Sequence, residues 1–321
     1  MLARTLIGLA LAAALAPGLA AQDAPVADSL PSPAAVDELV LPPDHIITLS
    51  VEGVPMRFLV TAEANGPARV NPEIAVNLQW RAVFQMLWDY GEGEPLRSGG
   101  MYRRFDFAGT EQSLPVIWSP LPATDVAHGV IGIHHLPYKR VTFPLAPPVG
   151  EQTVQRFAMK QVGGDRAMTL GTELDADGKK FKVFFVFEQA NNLLTAPTAN
   201  FIATRFDGGF VPGSEGEVMI DFSTKRRVKM MRLGRPLELG DLLIDTFAVR
   251  FEDYGKTSNV GEIGPDDPRF NKNEIIVSDR KPRGRPDFLT RIGRNQIAHC
   301  SQLTYDLELR ELRLTCGTPP P

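Results

Sequence analysis

Cysteine is nearly absent from this chain: Cys300 and Cys316 are the only two in 321 residues. That excludes a disulfide-dense scaffold, and without a C-x-x-C spacing neither a redox pair nor a zinc ribbon is available. Charge of one sign is lacking as well, with 34 Lys and Arg against 38 Asp and Glu and a net charge of −4. A nucleic-acid binder carries a basic stripe. Here Lys225-Arg226-Arg227 reads as the solvated side of a strand and Lys281-Pro282-Arg283-Gly284-Arg285 as an exposed loop, so no nucleic-acid partner is expected. Beyond residue 21 no stretch approaches the roughly 18 uninterrupted apolar residues of a membrane-spanning helix. Also missing are an H-E-x-x-H helix, a G-x-S-x-G elbow, a calcium loop and a phosphate-cradling glycine loop. His128, His134 and His135 crowd one segment with Asp125. Adjacent strand residues point to opposite faces, so these are read as polar residues near a surface, and no metal or cofactor is expected.

Residues 1–21 combine Arg4, an apolar run from Leu6 to Ala16 and small residues at Gly18-Leu19-Ala20-Ala21. This is the pattern of a secretory signal peptide with cleavage near Ala20 or Ala21, which places the mature protein in the periplasm or outside the cell. Residues 22–44, rich in Ala, Pro, Asp and Ser, are expected as a disordered leader. In an oxidising compartment Cys300 and Cys316, at the open end of a hairpin turning near residues 307–310, are expected to form a disulfide.

The stretch 57–75, RFLVTAEANGPARVNPEIA, is the organising feature. A half-apolar strand breaks into a small polar turn at Thr61-Ala62-Glu63-Ala64-Asn65-Gly66, and Pro72 then opens a helical turn. About 126 residues later the pattern returns in KVFFVFEQANNLLTAPTANFIA, with its break at Glu188-Gln189-Ala190-Asn191-Asn192 and Pro197 opening a second helical segment. Hairpins precede both strands, turning at Glu52-Gly53 and at Asp175-Ala176-Asp177-Gly178. An internal repeat outranks local propensity as a clue to architecture, and two similar β-rich lobes follow: residues 45–148 and 149–316, with a tail at 317–321. The Ala146-Pro147-Pro148-Val149-Gly150 run marks the boundary. Residues 79–90 place Trp80, Val83, Phe84, Leu87 and Trp88 at helical spacing, which predicts an amphipathic helix with its aromatic stripe in the core. A polar insertion at 256–287 has the composition of a loop or lid.

The order of strand, small turn, strand, then an apolar-apolar-Gly element before a closing strand resembles the pepsin and retropepsin aspartic peptidases. Val130-Ile131-Gly132 and Ile292-Gly293 look like the apolar-apolar-Gly supports, and the strands around 139–145 and 303–314 like the closing elements. The resemblance covers roughly residues 45–145 and 165–316. It implies a mostly β fold class: a two-lobed, acid-protease-like β-barrel architecture with short helices. Because both repeats lie in one polypeptide, pairing of each repeat with another molecule is disfavoured. That family works through two carboxylates about 3 Å apart that share a proton and activate water. By position its aspartates fall here at Thr61 and Phe187, its bracing hydroxyls at Ala62 and Glu188, and its glycines at Glu63 and Gln189. The standard mechanism is therefore lost.

Three functions follow. One is a pseudoenzyme whose cleft binds an extended peptide or protein segment by main-chain pairing, lined by Thr61, Glu63, Asn65, Phe187, Glu188 and Asn191. Another is an aspartic-type hydrolase whose acids have moved to Glu63 and Glu188, although the two sit at different loop positions in the sequence alignment of the repeats. The third is a non-enzymatic envelope scaffold presenting loops such as 256–287.

Overall fold

The computed structural model describes residues 30–64, 66–89, 94–162, 169–253, 257–263 and 288–318. The expected signal peptide and most of the 256–287 insertion lie outside the described residues. The fold is mostly β, with two lobes of acid-protease-like architecture and short helices.

In the first lobe seven strands run in the order Ile46–Val51, Val54–Thr61, Gly129–Gly132, Ala68–Val70, Thr110–Trp118, Leu96–Phe107, Phe84–Trp88. Pairing of Ser50 and Val51 with Asp106 and Phe105 closes the first six into a barrel. The second lobe repeats the order with Thr169–Ala176, Lys179–Val186, Leu289–Gly293, Leu193–Thr195, Leu242–Arg250, Thr224–Leu239 and Gly208–Ile220. In both lobes the strand entering the small polar turn runs parallel to the apolar-apolar-Gly strand, and the strand leaving the turn runs antiparallel to that same element.

Local chemistry explains the hairpins. Glu52 and Gly53 take φ of 52° and 86°, and Asp177 and Gly178 take 57° and 78°. Consecutive left-handed residues match the right-handed twist of the flanking strands. The supporting glycines do a different job. A Cβ on Gly132 would lie 2.6 Å from the Ala64 carbonyl oxygen, and one on Gly293 would lie 2.5 Å from the Asn191 carbonyl. Only glycine lets the strand lie against each turn.

A third sheet joins the lobes in the order Glu38–Val40, Arg140–Pro144, Cys300–Asp306, Glu311–Cys316, Thr153–Ala158. Arg140–Pro144 and Cys300–Asp306, the closing strands of the two repeats, pair antiparallel with Thr142 opposite Thr304. The two hydroxyls meet at 2.7 Å, and Thr142 also reaches Glu38 Oε1 at 2.6 Å. Since Thr142 has one proton and gives it to the carboxylate, Thr304 is the donor between the threonines. Cys300 and Cys316 sit opposite one another and are bonded. One hydrophobic cluster runs through both lobes and this sheet, from Leu39 and Phe58 to Phe185 and Tyr305.

Two expectations are corrected. Residues 38–40 form a strand rather than a disordered leader, because Leu39 and Leu41 are buried in the shared core and Glu38 caps the threonine pair. Residues 79–89 of the expected 79–90 helix are not helical, and Tyr90 lies outside the described residues. The helix ends at Asn77, Gln79 turns left-handed at φ 53°, and Phe84–Trp88 pairs with residues 96–100 as a strand. Aromatics at positions 80, 84 and 88 satisfy helical and alternating patterns alike, so spacing alone did not decide. Trp80 packs on Trp118 under Arg103.

Gly293→Ala or Gly132→Ala is expected to lower unfolding free energy by about 2 kcal/mol, since a methyl group must displace backbone rather than a flexible side chain. Chemical denaturation of each variant against a Gly216→Ala control, where nothing lies within 4 Å and the backbone is not left-handed, measures the difference.

Candidate functional site

The two polar turns face each other across a cleft of about 570 Å³ between the lobes, lined by residues of both turns and by the hairpin tip Asp221–Ser223. Thr61, Glu63, Phe187 and Glu188 all line it. Asn191 instead lines a separate hollow of about 190 Å³ beside Asn192 and Gln296. Asn65 lies outside the described residues.

Thr61 is buried at the end of its strand and accepts a hydrogen bond from the Glu63 amide at 3.2 Å. Phe187 packs its ring against His45 and Phe143, at 5.1 and 4.9 Å between centroids. Neither residue offers an ionisable acid, and Phe187 closes its side of the cleft floor with hydrocarbon.

Strand register corrects the alignment of the two turns. Thr61 lies opposite Gly132, and Val186 lies opposite Gly293. Counted from those pairs, Glu63 and Glu188 occupy matching positions, each two residues past the paired one. Matching the two turns by sequence sets Ala64-Asn65 against Ala190-Asn191 and so Phe187 against Thr61, which hides this equivalence.

The matching glutamates sit in different surroundings. Glu63 is mostly enclosed and pairs with Arg291, which projects from the support strand of the other lobe. Burial raises its carboxyl, Arg291 offsets part of that, and the charge of Asp221 adds to the rise. Glu188 is exposed and lines the cleft. Enclosure by the walls pushes its carboxyl up to about 7, partly opposed by its own backbone hydrogen bond, with the charges of Glu63 and Asp221 raising it further. Water within the cleft screens these charges.

Sequence reasoning missed the cations. Arg69, nearly fully buried in the strand leaving the first turn, pairs with Asp221 at the hairpin tip of the second lobe. Burial pushes the Asp221 carboxyl up, but Arg69 and Arg291 outweigh it and hold the group below the ordinary carboxylate value. Arg250 stands nearby, paired with Asp253 and lowered to about 9 by burial and by the Arg291 charge. The available signal was an arginine inside two apolar strands, ARV and LTRIG, where a charge needs a partner.

The histidines also differ from expectation. His134 and His135 lie in a single helical turn, not a strand, so their rings are 4.0 Å apart and both reach the Gly66 carbonyl, at 3.2 and 2.8 Å. Burial lowers both, His134 to about 3. Among the described residues the sole metal-like grouping is His299 with Cys300 and Cys316, whose sulfurs are already bonded to each other. No helix among the described residues is long and apolar enough to cross a membrane.

No protein-family model matches the sequence. No curated protein matches it either. Among solved structures, EIAV protease complexed with the inhibitor HBY-793 matches with 10% sequence identity and a TM-score of 0.21, covering 28% of this chain and 83% of that one. At that TM-score the likeness carries no weight for substrate or mechanism. The architecture rests on the strand order.

A raised carboxyl binds its proton in the fold at pH values where the unfolded polypeptide has released it. The Glu188 contribution is therefore fully present below the unfolded value near 4.5 and is lost as pH rises through about 7. Glu188→Gln is expected to flatten the fall in stability between those pH values, read from thermal unfolding across pH. Glu63→Gln should instead destabilise at neutral pH by on the order of 2–3 kcal/mol, because it strips the carboxylate from a buried arginine. Urea unfolding at pH 7 compares the two.

Proposed function

We propose that the protein is an exported, aspartic-peptidase-like protein whose interlobe cleft binds an extended peptide or protein segment without cleaving it. The observation that carries this reading is the cleft itself: about 570 Å³ between facing turns in which the register-matched positions, Thr61 and Val186, carry no carboxylate and Phe187 presents a hydrocarbon ring. A volume of this order suits a ligand-sized occupant. Catalysis by two carboxylates requires them to share a proton over an activated water. Here Glu63 and Asp221 are each held by an arginine, so of the two turn glutamates only Glu63 has an arginine partner among the described residues. Capture of an extended peptide needs backbone groups and side-chain niches, not a general base. The disulfide fits an oxidising compartment, and the signal-peptide pattern of residues 1–21 supports export.

A second reading draws on one observation. Glu63 and Glu188 occupy equivalent positions, and one of them is raised to about 7, the arrangement that separates an acid from a base. On that reading the protein hydrolyses its ligand with displaced acids.

Incubating the mature protein with a diverse peptide mixture from pH 4 to 8 separates the two. Retention of peptides on immobilised protein with no new termini by mass spectrometry is the expected result. New termini that disappear in the Glu63→Gln, Glu188→Gln double variant would establish the hydrolase. Neither retention nor cleavage would remove both and leave a scaffold.

A further inference from the structure

The tip joining Gly208–Ile220 to Thr224–Leu239 is bound by the opposite lobe. Asp221 pairs with Arg69, Phe222 sets its ring edge against Trp88 at 5.2 Å, and the Ser223 hydroxyl donates to the Pro122 carbonyl at 3.3 Å. The Arg69 guanidinium lies between two rings, 4.9 Å from the centre of Trp88 and 5.2 Å from that of Phe222. Phe222 is fully buried although it belongs to a surface hairpin.

The backbone is strained to reach this position. Phe222 has φ 55° and ψ 42°, and Ser223 has φ 49°. Left-handed backbone is unfavourable for a residue bearing a Cβ, and turns of this kind normally use Asn, Asp or Gly. A bulky ring persists there because contacts with the other lobe outweigh that cost. Asp221 and Ser223 themselves line the cleft. The tip is thus an occupant of the space between the lobes.

An arginine fixed between two rings, away from bulk water, is a poor resting place for an unpaired charge and a good receptor for a carboxylate. We propose that the Asp221–Ser223 tip is a built-in occluding segment, and that its Asp221 carboxylate holds the place of a ligand carboxylate on Arg69. This rests on the cleft-binding reading and narrows it. The ligand carries an acidic group, either an acidic residue or the terminal carboxylate of a peptide, and enters by displacing Asp221. Glu63 is already paired with Arg291, while Asp44, Asp125 and Glu188 also line the cleft, so the incoming carboxylate reaches Arg69 against their charge.

The test uses Asp221→Asn in the full mature protein. Loss of a charge-assisted pair should speed hydrogen exchange at the tip by about tenfold or more. Three probes are then titrated by tryptophan emission: N-acetylglutamate amide for a side-chain acid, N-acetylalanine for a terminal acid, and N-acetylglutamine amide as the neutral twin. At least one acidic probe should bind Asp221→Asn about tenfold more tightly than it binds wild type, and Arg69→Gln should abolish its advantage over the neutral twin. Unchanged tip exchange, or no preference for either acid over the neutral probe in Asp221→Asn, overturns the proposal, and that arm stands even if Arg69→Gln does not fold. Acid binding without retention of longer peptides would sink the peptide reading and keep this one. Peptide retention indifferent to charge and to Asp221→Asn would do the reverse.

Discussion

Two strands from opposite repeats, Arg140–Pro144 and Cys300–Asp306, pair through the middle of the molecule, and the rest of the structure depends on that pairing. The Thr142–Thr304 contact at its centre puts each repeat in the same relation to the shared sheet. Each closing strand follows directly on the short turn after a Gly-bearing support strand. Fixing the closing strands therefore fixes the supports, and through them the two polar turns. The cleft is the space left between turns that a common sheet forces to face one another. Nothing in either turn has to recognise the other for this to happen.

What the pairing cannot do is make the cleft comfortable for charge. Glu63, Asp221, Arg69 and Arg291 are largely withdrawn from water, where an isolated ion costs several kcal/mol and a pair recovers that cost only with good geometry. Both pairs cross between lobes, so each lobe supplies the counter-ion the other lacks. A lobe without its partner would expose or strand these charges. The ion pairs thus act less as a source of net stability than as a condition on how the lobes meet, since a shifted arrangement would leave arginines buried without carboxylates.

The architecture was legible in the sequence to the extent that it follows from short-range chemistry. Glu52-Gly53 and Asp177-Gly178 are turn signals with one backbone solution, and Pro72 and Pro197 sit in the first turns of the two helices. The strand pattern around Ile131-Gly132 and Ile292-Gly293 placed both supports. Legibility ended where partners come from afar. The aromatics of residues 80–88 fitted two periodicities, and pairing with residues 96–100 chose the strand. Leu39 read as part of a polar leader because its neighbours in space, at residues 140–142, lie about a hundred positions away. At the site, Thr61, Glu63, Phe187 and Glu188 were named from the turns themselves, whereas Arg69, Arg291 and Asp221 were not. Each of those three has its partner in the other lobe, and no local pattern records an interaction of that kind.

The strand pairing at Thr142 and Thr304 joins residues 162 positions apart, and this sets an order on the birth of the protein. The first repeat emerges early, yet the neighbour of its closing strand is near the end of the sequence. Until residues 300–316 arrive, Arg140–Pro144 presents one open strand edge and the hydrocarbon beneath it, including Phe143, lacks its cover from Leu303 and Tyr305. Contacts of such long separation form late and slowly, and exposed edges of incomplete lobes invite misassembly. A first repeat that folds before its last hairpin is available therefore carries that open edge until residues 300–316 arrive and the Cys300–Cys316 bond closes.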